Sequence, residues 1–201
     1  MAPSPPLATE LVDLGRSPEV RLADGTVVQP RRWFAERTFQ EDAADAFERF
    51  VHWMTATCFI VLALSGLNIT FGKELLTPLI GPVAFAEWSQ WAKYAHNYLS
   101  FPFTLGVAVI FLMWIAWNFP SGADAKWIAE GGGIVGSKHP PARRFNAGQK
   151  VIYWVVVLGG AASAVTGYLL MFPFYATDIA GMQTAQMVHG IVGLLFIAIM
   201  L

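Results

Sequence analysis

The sequence predicts an all-α membrane protein built as a bundle of four transmembrane helices. Of its 201 residues, 55% are hydrophobic and only 13% are charged, whereas a soluble domain carries about a quarter charged residues. The mean hydropathy is +0.49. The charge-free windows that indicate spans are 50–72, 94–123, 151–177 and 179–201. Each is long enough to cross about 30 Å of hydrocarbon as a helix.

The helix limits follow from these windows and from the prolines beside them. We place the four spans near 50–71, 94–118, 149–172 and 183–201. Pro120 and Pro173 stand where the second and third spans should end, and Pro102 is expected to bend the second. The sequence stops inside an apolar run, so we expect the last helix to be truncated at Leu201.

Residues 1–48 are predicted to form an arm separate from the transmembrane domain at 49–201. Within the arm, the pair Asp24-Gly25 indicates a small hairpin over 19–28. Residues 41–49 have the pattern of a short surface helix that runs into the first span. Neither segment carries recognisable chemistry.

Positively charged residues indicate how the chain is oriented. Six Lys or Arg residues lie in the arm and five in the loop between the second and third spans, against two and none in the other connections. The positive-inside rule therefore places the arm and the long middle loop in the cytoplasm. Residues 1–7 are proline-rich and do not resemble a signal peptide. We expect a multi-pass protein of the bacterial inner membrane with a cytoplasmic N-terminus.

Composition disfavours several classes of function. The net charge of −1 gives no basic face for nucleic acid. The single cysteine, Cys58, can form neither an intrachain disulfide nor an iron–sulfur site. The spans contain no Asp or Glu, which disfavours ion pumps and transporters because these relay charge through buried acids.

Three of the four histidines, His52, His96 and His189, lie inside the apolar windows. An ionisable side chain at that depth is costly and indicates function. His96 is near the start of the second span and His189 is about two turns into the fourth, and both spans begin on the predicted periplasmic side. The two histidines can therefore share a level. Two neutral imidazoles on facing helices are the ligand set of a six-coordinate haem iron, so we expect haem b.

His52 lies at the cytoplasmic start of the first span, where the sequence offers no second imidazole. A histidine about fourteen residues after His189 would lie on nearly the same face of the last helix, at the depth of His52. Gly66 follows His52 by about four turns on one face, where it would leave room for a porphyrin at the level of His96. The alternative is ordinary close packing between helices, and it applies equally to Gly106, Gly190 and Gly193.

Several short runs carry a family resemblance. They are Glu48-Arg-Phe-Val-His52-Trp53, Ala63-Leu-Ser-Gly66, Arg144-Phe-Asn-Ala-Gly-Gln-Lys150, preceded in the loop by Lys138-His-Pro-Pro141, and Val165-Thr-Gly167. Together they resemble the gamma subunit of respiratory formate dehydrogenase, a cytochrome b, over about residues 45–201. The run at 145–150 is the most specific. The arm before about residue 40 is not explained by the resemblance.

The resemblance implies a four-helix bundle of the di-haem cytochrome b type. His96 and His189 match the ligands of its periplasmic-side haem. His52 matches one ligand of its cytoplasmic-side haem, whose other ligand is expected just after Leu201, so that site is incomplete in this chain. Asn146 and Gly148 match residues beside the quinone pocket, with Gln149 a weaker candidate. From the residues alone, Asn146 is also expected to cap the third helix.

The resemblance also implies partners. Formate is oxidised at a molybdenum or tungsten alpha subunit, and the electrons pass through an iron–sulfur beta subunit and the b haems to a quinone. This chain has no nucleophile, metal-activated water or nucleotide loop of its own. It is expected to be the membrane anchor and electron-transfer subunit of the oxidoreductase, with the formate-oxidising site on another subunit.

Two alternatives remain. Cytochrome b subunits of membrane nickel–iron hydrogenases and of thiosulfate reductases have the same arrangement of histidines on four helices. They differ from the formate type in the electron donor. A haem-free membrane scaffold or transporter belongs to a different class.

Overall fold

The computed structural model describes the backbone of residues 10–12, 19–21, 23–28, 30–132 and 144–200, and the side chains of residues 23–27, 43–132 and 144–200. The loop run at 138–141 and the last residue lie outside these ranges. The chain divides into two compact units, Met1–Phe50 and Val51–Leu201.

The N-terminal unit contains a small antiparallel sheet. Its strands are β1 (Glu10–Val12), β2 (Glu19–Arg21) and β3 (Val27–Val28), in the order β1-β2-β3. The β2–β3 hairpin confirms the one predicted around Asp24-Gly25: Gly25 has φ +85°, and the Thr26 amide donates to Asp24 Oδ1 over 2.9 Å. The strand β1 was not predicted, because three residues are too few to show an alternating pattern.

A single helix, α1 (Pro30–Ile80), contains both the predicted surface helix and the first span and continues past them. The sequence placed the end of the span near residue 71 because Lys73 closes the apolar window. A charged side chain does not end a helix, since its long stem can reach toward water. The helix ends instead at Gly81, whose φ of +82° is a left-handed conformation that glycine adopts readily.

Helix α2 (Pro82–Trp114) follows Gly81 directly, so one residue joins the first two long helices. Proline is favoured at the first position of a helix because its missing N–H has no partner there in any case. Helix α2 therefore begins well before the predicted start near residue 94. It continues past Pro102 and is followed by one turn of 3-10 helix, Ile115–Trp117.

A short helix, α3 (Gly122–Ala129), follows the second span. Ser121 and Asp124 form its capping box, in which the Ser121 amide donates to the Asp124 carboxylate. Lys150 Nζ donates to Asp124 Oδ2 over 2.8 Å and to the Phe119 carbonyl over 3.0 Å. The hydrogen bond from Lys150 holds the pKa of Asp124 below its usual value. This pair attaches α3 to the start of the third span.

The last two long helices are α4 (Ala147–Met171) and α5 (Ile179–Met200). Helix α4 begins close to the predicted residue 149 because Asn146 caps it. Helix α5 begins ahead of the predicted residue 183 because the Asp178 carboxylate accepts the Gly181 N–H over 2.9 Å, which satisfies an amide of the first turn. The turn between them contains Phe174, which has φ +62°.

The helices pack through two buried clusters and through small residues. The clusters are Val51, Ile110, Tyr153 and Val157, and Cys58, Phe103, Val107 and Phe196. A Cβ at Gly160 would lie 2.8 Å from Val107, and one at Gly106 would overlap the Thr55 hydroxyl. Both glycines therefore serve the close approach of helices that membrane bundles use.

Large apolar side chains also lie on the outside of the bundle, among them Leu112 and Val151. An outward apolar surface is stable against lipid, where only fully hydrogen-bonded helices or closed barrels can span. Among the described residues, four helices are long and apolar enough to cross a membrane: Ala43–Ile80, Pro82–Trp117, Ala147–Met171 and Ile179–Met200. The predicted class, an all-α bundle with four transmembrane helices, is confirmed.

Candidate haem-binding site

The structure brings His96 of α2 and His189 of α5 together inside the bundle. Their ring centroids are 6.2 Å apart, and the ring planes meet at 76°. Two imidazoles that share one metal ion, each with a nitrogen about 2 Å from it, have centroids about 6 Å apart. The two rings therefore have the separation that a bis-histidine site needs.

Each ring has a hydroxyl partner on the preceding helix of the chain. Ser65 Oγ of α1 lies 2.9 Å from His96 Nδ1, and Thr166 Oγ1 of α4 lies 3.0 Å from His189 Nδ1. Ser65 Oγ also lies 3.2 Å from the Leu62 carbonyl, and Thr166 Oγ1 lies 3.3 Å from the Ser163 carbonyl. All four spanning helices therefore contribute to this site.

A glycine stands beside each hydroxyl and faces the same ring. A Cβ at Gly66 would lie 3.3 Å from His96 Cε1, and a Cβ at Gly167 would lie 3.1 Å from His189 Cε1. Both distances are shorter than ordinary van der Waals contact. The sequence selected Gly66 as a place where a porphyrin would press, and the structure places it against the imidazole.

His52 does not join this pair. It lies on an exposed face of α1, with its ring 5.5 Å from that of Trp53 and edge-on to it. Ser65 follows it by thirteen positions in the helix, which is about 20 Å along the axis. His52 is therefore at a different depth from the His96–His189 pair.

Asn146 and Gln149 cap the third span. The Gln149 amide donates to Asn146 Oδ1, and the Asn146 amide donates to Gln149 Oε1, both over 2.9 Å. This capping box confirms the cap expected at Asn146. Gly148 lies beside α3, where an added Cβ would be 3.6 Å from the Trp127 ring.

A cavity of 610 Å³ opens at the same end of α4, on another face of its first turn. Its polar end is formed by Asn118, Asp124 and Lys150, and its apolar wall includes Trp154, Leu158 and Phe196. Of the residues predicted to contact a quinone, Asn146, Gly148 and Gln149, none is among those that line it.

The family can be assigned from comparison with known proteins. A family model described as prokaryotic cytochrome b561 matches residues 43–201. This chain belongs to the prokaryotic cytochrome b561 family. A b-type cytochrome carries haem b, and the spacing of His96 and His189 fits that cofactor.

Relatives of this cytochrome b561 chain carry formate dehydrogenase names. The nitrate-inducible formate dehydrogenase cytochrome b556(Fdn) subunit of Escherichia coli strain K12 is 24% identical over 156 residues, 75% of this chain and 69% of the relative. The formate dehydrogenase cytochrome b556(fdo) subunit of the same strain is 25% identical over 158 residues, which cover 77% of this chain and 72% of the relative. The formate dehydrogenase cytochrome b556 subunit of Haemophilus influenzae is 27% identical over 140 residues, which cover 64% of this chain and 53% of the relative. The resemblance inferred from the sequence is confirmed.

Sequence reasoning did not assign roles to Ser65, Thr166 and Gly167. All three lie in runs that the resemblance uses, Ala63-Leu-Ser-Gly66 and Val165-Thr-Gly167. The signal was a hydroxyl residue followed by glycine in the middle of two apolar spans. That signal does not say which side chain of another helix the hydroxyl will meet.

Proposed function

We propose that this chain is the cytochrome b subunit of a formate dehydrogenase and passes electrons within the membrane. The observation that carries the proposal is the 6.2 Å separation of the His96 and His189 rings. It occurs in a member of the cytochrome b561 family whose relatives include subunits named for formate dehydrogenase.

The proposed work of the chain is to hold and insulate a redox centre. His96 and His189 provide two neutral ring nitrogens, and the apolar helices around them exclude water. Haem b held between His96 and His189 would supply a one-electron carrier, and ligation by both imidazoles would leave no iron position for oxygen. The site therefore favours electron transfer over oxygen chemistry.

The finer assignments belong to the same proposal. Electrons come from a molybdenum or tungsten alpha subunit through an iron–sulfur beta subunit and leave to a quinone. His52 supplies one ligand of a second, cytoplasmic-side haem, and Asn146, Gly148 and Gln149 lie beside the quinone. The chain spans the inner membrane of a bacterium with its N-terminus in the cytoplasm, as its lysines and arginines favour.

A reduced-minus-oxidised difference spectrum of the purified protein tests the haem. We expect a b-type α band with the low-spin character of two imidazole ligands. A haem-free scaffold or transporter has no such band, so a spectrum without the α band would refute the proposal.

The electron donor is tested in native membranes. We expect formate to reduce the b band, with hydrogen inactive as a donor. Reduction by hydrogen alone would assign the chain to a nickel–iron hydrogenase complex. Failure of both donors, with oxidation of the band by thiosulfate, would favour a thiosulfate reductase.

His189→Ala tests the ligand assignment. We expect it to lose the haem held between α2 and α5 and to block electron entry, while the helices still insert. His52→Ala is the matched control, since His52 lies about 20 Å along α1 from Ser65, the partner of His96, and its loss should leave this haem in place. Full haem content in His189→Ala would refute the assignment.

A further inference from the structure

The two halves of the histidine site repeat one local arrangement. In each, a hydroxyl residue followed by glycine faces an imidazole from the next spanning helix: Ser65-Gly66 faces His96, and Thr166-Gly167 faces His189. We call these the hydroxyl–glycine pairs. They occur on different helices, α1 and α4, at unrelated positions in the chain. A repeated arrangement around both rings indicates a shared task.

The direction of each hydroxyl hydrogen bond follows from the neighbouring carbonyls. Ser65 Oγ donates to the Val61 carbonyl over 2.7 Å, and Thr166 Oγ1 donates to the Ala162 carbonyl over 2.7 Å. A hydroxyl has one hydrogen, and a carbonyl can only accept. Toward the ring, each hydroxyl oxygen therefore presents a lone pair.

The tautomer of each imidazole follows in turn. Because the hydroxyl accepts, Nδ1 of His96 and Nδ1 of His189 each carry the proton. In a neutral imidazole the other nitrogen, Nε2, is then unprotonated and has a lone pair free for a metal.

The glycines let the rings come close enough for these bonds. A methyl group at residue 167 would be 3.1 Å from His189 Cε1 and 3.6 Å from Nδ1, and one at residue 66 would be 3.3 Å from His96 Cε1. Each ring edge that carries Nδ1 therefore lies against bare backbone. Any side chain there would move the ring away from its hydroxyl partner.

We propose that the hydroxyl–glycine pairs are positioning residues that hold His96 and His189 as Nδ1–H tautomers and set the redox potential of the metal bound between them. This inference rests on the proposed haem ligation. A hydrogen bond from Nδ1–H to an acceptor makes the ligand nitrogen more basic. A more basic ligand stabilises the oxidised, more positively charged iron, so the pairs lower the midpoint potential.

Redox titration of the α band in the purified complex tests the proposal. Ser65→Ala and Thr166→Val remove the acceptors and leave both ligand imidazoles in place, so we expect haem to stay bound. The ratio of reduced to oxidised haem at a fixed potential should rise about tenfold, the same order as the smaller effects of such hydrogen-bonding partners on metal affinity. For a one-electron couple that is about 59 mV upward.

Matched controls show whether the shift in midpoint potential is specific to the Ser65 and Thr166 hydroxyls or follows the removal of any buried or membrane-embedded hydroxyl. Thr70 and Thr184 also donate to carbonyls of the preceding turn, those of Gly66 and Ala180, over 3.0 and 2.9 Å. Thr70→Val and Thr184→Val should keep the wild-type potential. The exchanges Ser65→Thr and Thr166→Ser keep a hydroxyl at each site and should also keep it.

The outcomes distinguish this inference from the proposed function. If Ser65→Ala and Thr166→Val have the same midpoint potential as Thr70→Val and Thr184→Val, the inference is wrong and the haem proposal stays intact. Haem loss in Ser65→Thr as well as in Ser65→Ala would show that volume, not the hydroxyl, matters, and would also overturn it. Absence of a b band in the wild-type protein would remove both.

Discussion

At the scale of single residues, the space beside an imidazole decides whether its nitrogen can reach a metal. Gly66 and Gly167 leave that space, and the Cβ of any other residue would enter it at 3.3 and 3.1 Å. Such contacts are resolved only by movement of the ring or of the helix. Because the rings lie inside a packed bundle, movement of the ring is the cheaper response.

Gly167→Ala should therefore lower the haem content of the purified protein by about tenfold, as other losses around a metal ligand do. Gly66→Ala, with the longer contact, should have a smaller effect in the same direction. Pyridine haemochrome assay against protein concentration measures both.

Gly159→Ala is the control on the same helix. Its added methyl would lie 3.6 Å from the Phe196 ring, an ordinary contact. Equal haem content in the Gly159 and Gly167 variants would show that the space beside His189 does not matter.

The residues of this site were only partly accessible from the sequence. His96 and His189 could be paired because depth in a membrane follows from counting residues between charges. Their hydroxyl partners could not be found that way, because a contact between Ser65 and His96 depends on the rotation of α1 against α2. Periodicity within one helix contains no information on that rotation.

At the scale of elements, the N-terminus of α4 has one observed role and one proposed role, which can be separated by mutation. The Asn146 side chain caps the helix, and replacing such a cap with alanine costs about 1 kcal/mol. It is also proposed to lie beside the quinone.

Asn146→Ala should leave haem content unchanged and impair quinone reduction by formate. Asn146→Asp keeps a capping oxygen and loses the amide N–H groups, so it should restore stability but not turnover. Quinone turnover at the wild-type rate in Asn146→Ala would exclude the quinone role. Full recovery in Asn146→Asp would assign the effect to the cap.

Helix α3 is attached to α4 by a pair whose strength depends on pH. Asp124 and Lys150 are 14% and 9% exposed, and the hydrogen bond from Lys150 holds the pKa of Asp124 below its usual value. A carboxyl with a depressed native pKa stabilises the fold above its unfolded pKa of about 4, and this is lost as pH falls through the native pKa.

Asp124→Asn should accordingly unfold at a lower temperature than wild type at pH 7, with the difference disappearing in acid below about pH 4. Thermal unfolding in detergent across this range measures it. Glu130→Gln breaks the long pair with Lys126, at 3.9 Å, in which the lysine is exposed, and should change little at any pH. A gap between Asp124→Asn and wild type that persists in acid would contradict the assignment.

The number of spanning helices could be predicted from the sequence, but their first and last residues were predicted less well. Charge-free windows mark the stretch of a helix that lies in hydrocarbon, while hydrogen bonding continues wherever the backbone permits. The C-terminus of α1 is set by Gly81, and the N-terminus of α5 is set by the Asp178 carboxylate. Helix α3 was missed because its eight residues, Gly122–Ala129, are too few for an apolar period to be visible.

At the scale of the whole molecule, the proposed orientation can be tested with single cysteines. Ala125 of α3 and Ala176 of the turn before α5 are exposed positions on opposite sides of the predicted membrane. The native Cys58 is buried and gives little background.

In intact spheroplasts, a membrane-impermeant maleimide should label Ala176→Cys and not Ala125→Cys, since positive charge retains the loop at α3 in the cytoplasm. Both should react once the membrane is permeabilised. The reverse pattern in intact cells would invert the proposed topology.

The one-residue connection at Gly81 has a consequence for how this molecule is assembled. Helices α1 and α2 emerge from synthesis as one hairpin, and that hairpin already contains both Ser65 and His96. The second hairpin, α4 with α5, contains Thr166 and His189. Each imidazole therefore has its hydroxyl partner within its own hairpin and needs no contact with the other hairpin to be oriented. If His96 and His189 are the haem ligands, docking of the two hairpins then only has to bring together two rings whose rotation is already restricted.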